Sequence, residues 1–498
     1  LLDWHRSELL VRRGQQLASL WNKHSGLWTF LNERSTKDSW IELRAEEPAS
    51  ETVAELRSDV GRLTVQMKRQ SLLSKFNSLI RQVSSTDKSD HDKRAEPEDA
   101  NAMADQVISV TDELVKYAKG DAEFESTVLT ELEQAATAIY ENGTPRILIS
   151  LHEYIVDMSE RITDIANDKN AIRTHAIRNL RLGDAYQRFA IRDKAEAAFD
   201  FYFNSSTQAV EADPDSLNAL RDLGIAYNRL GNLHYESNGL IQAEKAYDGE
   251  LSASEKLVSK EPDNSSFRRE LGVAYLLLSK LYFQTGRLTV SETSAVNALD
   301  VFTQLAERDP ANTQFQSDLA SAYDLLGEIR LESGILSEAE EAFDKSHHIS
   351  QQIFQREPEN WKRQLDLCSS CEGLGNVYLQ TNRRDQAKEI FSKGFDLARQ
   401  IAENYPNRPR TQLRFAISQW NLSRVSDKGE SERLEDSAWE VMVQERERDA
   451  YFFLRAKEAE DGLRASIEAR TAPKAKPKKR KRTTVAKKKT SVRRKKSR

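Results

Sequence analysis

Two cysteines in 498 residues cannot build a disulfide framework, and so sparse a thiol usage fits a reducing, intracellular compartment. Glycine (19) and proline (11) are also scarce, so long helices can run without interruption. No stretch approaches the ~20 consecutive apolar residues that a membrane-spanning helix needs. The opening LLDWHRSELL is charged and lacks the small-residue cleavage site of a signal peptide. Phosphate-binding loops, HExxH, GxSxG and dinucleotide fingerprints are all missing, which leaves no catalytic, cofactor-binding or metal-binding residue to nominate. Apolar residues make up 38% and charged residues 31%, a balance suited to solvent-rich helical architecture rather than a thick mixed core.

Charge is divided unevenly. From Arg470 to Arg498 there are 16 Lys or Arg and no Asp or Glu. The rest of the chain holds 58 basic against 79 acidic residues, a balance of −21. An acidic body and a basic tail are therefore two physical objects.

What the chain does have is a period. Pro214, Pro262, Pro310, Pro358 and Pro406 stand 48 residues apart. In the same register Leu182, Leu230, Leu278, Leu326, Leu374 and Leu422 recur, each followed by a small residue: Gly183, Gly231, Ser279, Gly327, Gly375 and Ser423. Twelve residues later come Ala195, Ala243, Ser291, Ala339 and Ala387, then Phe199, Tyr247, Ala295, Phe343 and Phe391. Asn238, Gly286, Gly334 and Asn382 stand where a left-handed turn residue would separate two helices. A fixed period of this length signals a solenoid.

This pattern resembles the tetratricopeptide (TPR) repeat: Leu-Gly in helix A, Ala and an aromatic in helix B, Pro at the end. The family unit is 34 residues, so the excess of about 14 here implies longer helices A and B. A second small position (Gly224, Gly272, Ala320, Cys368) fits a close A–B contact along the extension.

The reading is thus all-α, a right-handed superhelical TPR-like solenoid preceded by a helical bundle and followed by a disordered basic tail. Residues 1–83 read as a helical, coiled-coil-like region whose apolar seam is Val53, Leu56, Val60, Leu63 and Met67; the seam is short for a free-standing coiled coil, so packing within the chain is expected. Residues 84–100 are a linker and 101–166 a helical bundle. Repeats occupy 167–214, 215–262, 263–310, 311–358 and 359–406, with a partial unit at 407–430. Residues 431–470 read as one capping helix, and 471–498 as the tail.

The resemblance implies that helix A lines a groove for a protein segment. The groove slots hold Asp184, Asn232, Lys280, Glu328 and Asn376, and one turn later Arg188, Glu236, Gln284, Glu332 and Gln380; Asn228 stands one turn earlier. The family's carboxylate clamp needs Lys and Arg among Asn residues, and only Asn228, Asn232 and Lys280 suit it. An acid-leaning groove fits a basic or amphipathic partner better. Cys368-Ser-Ser-Cys371 could be redox-active or half a zinc site. However, its register matches core slots of the other units, so packing is expected. His347 and His348 have no partner motif.

The tail residues Lys478, Lys479, Arg480, Lys481, Arg482, Lys487, Lys488, Lys489, Arg493, Arg494, Lys495 and Lys496 suit non-specific phosphate contact. Pro477–Arg482 resembles a nuclear localisation signal, so the tail is read as nucleic-acid tether or targeting signal. Location would be nuclear, or cytoplasmic and nucleoid-associated, depending on the source. The expected function is a non-catalytic scaffold. An alternative starts from GQQLASLWNKHSGLW, residues 14–28, which resembles the region after the ATPase core of bacterial STAND-type signalling proteins. With Leu as residue 1, this implies a sensor half whose catalytic domain lies upstream.

Overall fold

The computed structural model describes residues 51–85, 97–140, 144–162, 168–406, 408–445 and 457–471. Every regular element among them is an α-helix. In order these are α1 (Glu51–Ser85), α2 (Pro97–Ala118), α3 (Ala122–Ala138), α4 (Pro145–Ile162), α5 (Lys169–Arg188), α6 (Arg192–Ala212), α7 (Leu217–Glu236), α8 (Leu240–Lys260), α9 (Ser265–Gln284), α10 (Leu288–Arg308), α11 (Thr313–Glu332), α12 (Leu336–Arg356), α13 (Trp361–Gln380), α14 (Arg384–Asn404), α15 (Pro409–Ser423), α16 (Lys428–Glu445) and α17 (Lys457–Thr471). The chain forms two compact units, Leu1–Leu325 and Leu326–Arg498. No described helix is long and apolar enough to cross a membrane.

The first unit begins with a bundle of α1–α4 around one core that includes Phe76, Val107, Leu114, Leu132 and Leu148. Among the described side chains of α1, the buried ones are Leu72, Phe76, Leu79, Ile80 and Val83. Met67, at the end of the expected seam, is 47% exposed. The second half of α1 thus packs into the bundle core, and the side chains of Val53, Leu56 and Val60 lie outside the described residues. Pro97 already opens α2, so part of the expected linker is helical.

From α5 onward helices pair in antiparallel A–B units, the TPR-like arrangement. Helix A has 20 residues in the complete units and helix B has 21, which places the extra length in both. Each A–B turn holds one left-handed residue: Asn238 (φ 60°), Gly286 (72°), Gly334 (76°) and Asn382 (59°). Repeat one puts Ala190 there (φ 57°), where a Cβ is disfavoured. The prolines end helix B two residues before the next N-cap. Ser216, Asn264 and Asn360 then accept from the backbone N–H groups of Ala219, Ser266 and Lys362.

The close A–B approach comes from a glycine beneath a ring. A Cβ on Gly231 would lie 2.6 Å from the Tyr247 ring, and one on Gly327 2.8 Å from the Phe343 ring. Gly183 and Gly375 face Phe199 and Phe391 in the same way. These rings are nearly or fully buried, so each contributes roughly 2–3 kcal/mol of apolar burial.

In the second unit the array ends in α15–α17. α16 and α17 are two helices packed against each other, where one long helix was expected for 431–470. Ala438 and Met442 of α16 bury against Ala459 and Leu463 of α17, and Leu413, Ala416 and Ile417 of α15 close the same core. Ser466 donates to Glu435 at 2.9 Å, and Arg470 pairs with Asp436, so the two helices run antiparallel.

Candidate functional site

The helix-A row of the first unit is held by charge. Arg173, Arg221 and Arg269 occupy one slot of three successive A helices. Each reaches an acid on the next A helix: Asp222 (2.5 Å), Glu270 (2.7 Å) and Asp318 (2.5 Å). The spacing is 49 residues each time. Arg173 and Arg269 each contact both carboxylate oxygens of their acid, the geometry that makes such pairs strongest. Part-exposed pairs of this kind contribute on the order of 0–1 kcal/mol each. Their larger effect is to fix the lateral register of α5, α7, α9 and α11.

In the second unit the register slot holds Leu365, and the acid's place is taken by Arg414. Leu365 packs beside Trp361, Leu397, Tyr405 and Phe415 around buried Cys368, Ala398 and Ile401. Arg414 turns to Glu372 at 2.8 Å. Arg408 lies over the rings of Trp361 (4.9 Å) and Tyr405 (5.6 Å).

Most expected groove residues of the first unit are half-buried and bonded within the chain. Asp184 accepts from Arg229 Nε at 2.7 Å. Arg188 donates to the Tyr140 carbonyl and stacks on its ring at 5.0 Å. Glu236 accepts from Gln187 at 2.8 Å. Asn228 and Asn232 belong to one relay. Tyr247 Oη donates to Asn232 Oδ1 (2.9 Å), Asn232 Nδ2 to Asn228 Oδ1 (3.0 Å), and Asn228 Nδ2 to Glu250 Oε1 (2.9 Å). Lys280 is half-buried and Gln284 exposed. In the second unit Asn376 accepts from Arg424 at 2.7 Å, while Glu328, Glu332 and Gln380 are exposed. The two asparagines compatible with a carboxylate clamp are thus engaged with each other. Gln284, Glu332 and Gln380 share one repeat slot, and they are the expected groove residues that stand well out from the helix-A surface in more than one unit.

Glu250 was not singled out from the sequence. Its slot holds Tyr202, Ala298, Ser346 and Gly394 in the other repeats, so the register alone marks it as unusual. It is 5% exposed, and its Oε2 has no hydrogen-bond partner. Burial pushes its carboxyl up to about 8, against opposing effects from the Asn228 hydrogen bond and the Arg229 charge.

Two histidine sites were also missed. His175 Nδ1 bonds Ser159 Oγ at 2.7 Å, with Asn179 on its other nitrogen. His152 is buried with Nδ1 unpaired, and burial lowers its pKa to about 4.

Cys368 and Cys371 are free and buried. Cys371 lies in the core with Phe343, Leu374 and Val377, and Cys368 in that with Ala398 and Ile401. Burial pushes the Cys368 thiol far up, away from reactivity. His347 Nδ1 bonds Ser370 Oγ at 2.9 Å, and exposed His348 meets Gln352. No group of three metal-ligating side chains occurs among the described residues. The basic residues from Lys478 to Lys496 lie outside the described residues, as do residues 1–50.

No family model and no curated protein sequence matches the chain. Similar solved structures are distant in sequence. A STAND protein (signal transduction ATPase with numerous domains) with a tetratricopeptide repeat sensor, from Pyrococcus horikoshii, is 14% identical with a TM-score of 0.43. That match covers 83% of this chain and 57% of the other, so the chain spans little more than half of that protein's length. A Rap protein complexed with competence and sporulation factor is 14% identical, with a TM-score of 0.40, over 80% of this chain and 99% of that one. Yeast Tom70 is 12% identical, with a TM-score of 0.36, over 87% and 78%.

Proposed function

We propose that this chain is a non-catalytic scaffold that binds a protein segment along the helix-A face of its repeats. One observation carries the reading. One helix-A slot is exposed and polar in repeats three, four and five (Gln284, Glu332, Gln380), and one turn earlier Glu328 is exposed too while Asn376 accepts from Arg424. The partner is a basic or amphipathic segment, because Glu328 and Glu332 add acid to this row.

Replacing Gln284, Glu332 and Gln380 together by Ala reduces partner recovery in a pull-down at least tenfold. Replacing Asn232 and Lys280 acts more weakly, and through stability. Unchanged recovery with the triple variant contradicts the reading.

The basic tail is proposed to tether the scaffold to nucleic acid through phosphate contacts, or to direct it to the nucleus. DNA retention falls steeply with salt and disappears on deletion of residues 473–498; retention that survives the deletion overturns the tether.

The likeness of residues 14–28 to a post-ATPase segment supports a second reading, a sensor region of a larger STAND-type signalling protein. A Walker motif in the reading frame upstream decides for it.

A further inference from the structure

Repeat two contains a polar relay that runs in one direction and ends unfinished. Tyr247, Asn232 and Asn228 each donate to the next acceptor, and the last donation goes to Glu250 Oε1. Asn228 Oδ1 also accepts from Arg229 Nη1 at 3.0 Å. Glu250 Oε2 then lies buried with no donor. A buried ionised carboxylate with an unpaired oxygen is costly, and the neutral acid much less so.

Titratable groups stand near this carboxyl on three helices. From α7 comes Arg229, whose guanidinium is divided between Asp184 of α5 (2.7 Å) and Asn228. From α9 comes Glu270, itself held by Arg221 of α7. On α8 itself, Tyr247 is bonded to Asn232. The Arg229 guanidinium is already matched by Asp184, and Glu270 works against ionisation. Neither neighbouring repeat has this arrangement: repeat one has Leu180 and Tyr202 at the two slots, and repeat three has Leu276 and Ala298.

We propose that Glu250 is a proton-operated latch between α7 and α8: the neutral carboxyl keeps the relay closed, and loss of its proton opens the pair and reorients Asn228 and Asn232 on the helix-A face. The latch is independent of the scaffold reading, since it concerns this chain alone. The direction follows from linkage. The folded carboxyl holds its proton up to about pH 8, whereas in the opened state it loses it near the ordinary glutamate value of 4.5. The stabilisation from the proton is therefore complete below pH 4.5 and is lost as pH rises through about 8.

Two measurements on the full chain test this. Carbon-detected NMR with labelled glutamate, compared with Glu250→Gln, identifies one carboxyl resonance titrating near pH 8; a Glu250 resonance titrating near pH 4.5 overturns the latch. In hydrogen exchange corrected for the intrinsic rate, the opening constant of α7 and α8 amides rises by up to about tenfold per pH unit between pH 6 and 8. In Glu250→Gln that pH dependence is absent. The same slope in both proteins contradicts the proposal. Should Glu250→Gln fold poorly, Glu250→Ala combined with Asn228→Leu recreates the slots of repeat three and gives the same flat profile.

Discussion

Repeat three and its neighbours solve one packing problem in two ways. In repeats one, two, four and five, a glycine on helix A lies beneath an aromatic ring on helix B. Repeat three has Ser279 and Ala295 at those slots. There Ser279 Oγ donates to the Ser291 carbonyl and Ser291 Oγ donates to the Ser279 carbonyl, both at 2.8 Å. The ring has not vanished. Phe302 stands seven residues further along helix B, and it meets Gly272, seven residues earlier on helix A. Because the helices are antiparallel, a ring moved two turns forward needs its glycine moved two turns back. The requirement is thus for the pair rather than for either residue, and the position along the A–B interface is negotiable.

The largest expected effect comes from removing a ring that serves two glycines. Phe343 covers Gly327 of its own repeat and Gly373 of the next. Phe343→Ala should cost about 3–5 kcal/mol in denaturant unfolding. A loss below about 1 kcal/mol would show that the ring is not the organising contact.

Next is the transplant. Ala295→Phe alone overpacks Ser279 and should cost about 1–3 kcal/mol. Ser279→Gly with Ala295→Phe restores the pattern of the other repeats, and the coupling energy should be favourable by about 1–3 kcal/mol. Additive single effects would break the comparison. Conversely, Gly231→Ala should cost about 1–3 kcal/mol, because its Cβ would lie 2.6 Å from the Tyr247 ring. Gly61→Ala, with nothing within 4 Å, should stabilise its helix by roughly 0.5–1 kcal/mol.

A further effect concerns the turn slot, where repeat one departs from the others. Ala190→Gly should stabilise by about 1 kcal/mol, read as a rise in Tm, because φ is 57° there and Gly carries no Cβ penalty. A fall in Tm would mean that the left-handed backbone at Ala190 carries no strain.

The repeat itself was legible because it is written in side-chain size: Leu-Gly, a ring and a turn residue every 48 positions. The turn glycines and asparagines, and the burial of the CxxC, followed from the same register. The helix-A surface was less legible. Its polar slots are visible in the sequence, but whether a polar side chain faces solvent or a neighbour depends on the lateral spacing of repeats. The Arg-to-acid spacing of 49 was available as a signal for that spacing, since it recurs three times. Glu250 was detectable as the one acid in its register slot. The pairing of α16 with α17 was hidden by composition, because charged residues outnumber the few (Ala438, Met442, Ala459, Leu463) that bury the contact.

The most direct test of the helix-A face as the binding surface is site-specific photocrosslinking in cells. A benzophenone side chain is placed at Gln284 or Gln380 on helix A, and at Lys256 or Lys393 on helix B. One shared protein adduct is expected from both helix-A positions and none from helix B. Adducts from the helix-B positions alone, or the same adduct from both faces, would contradict it.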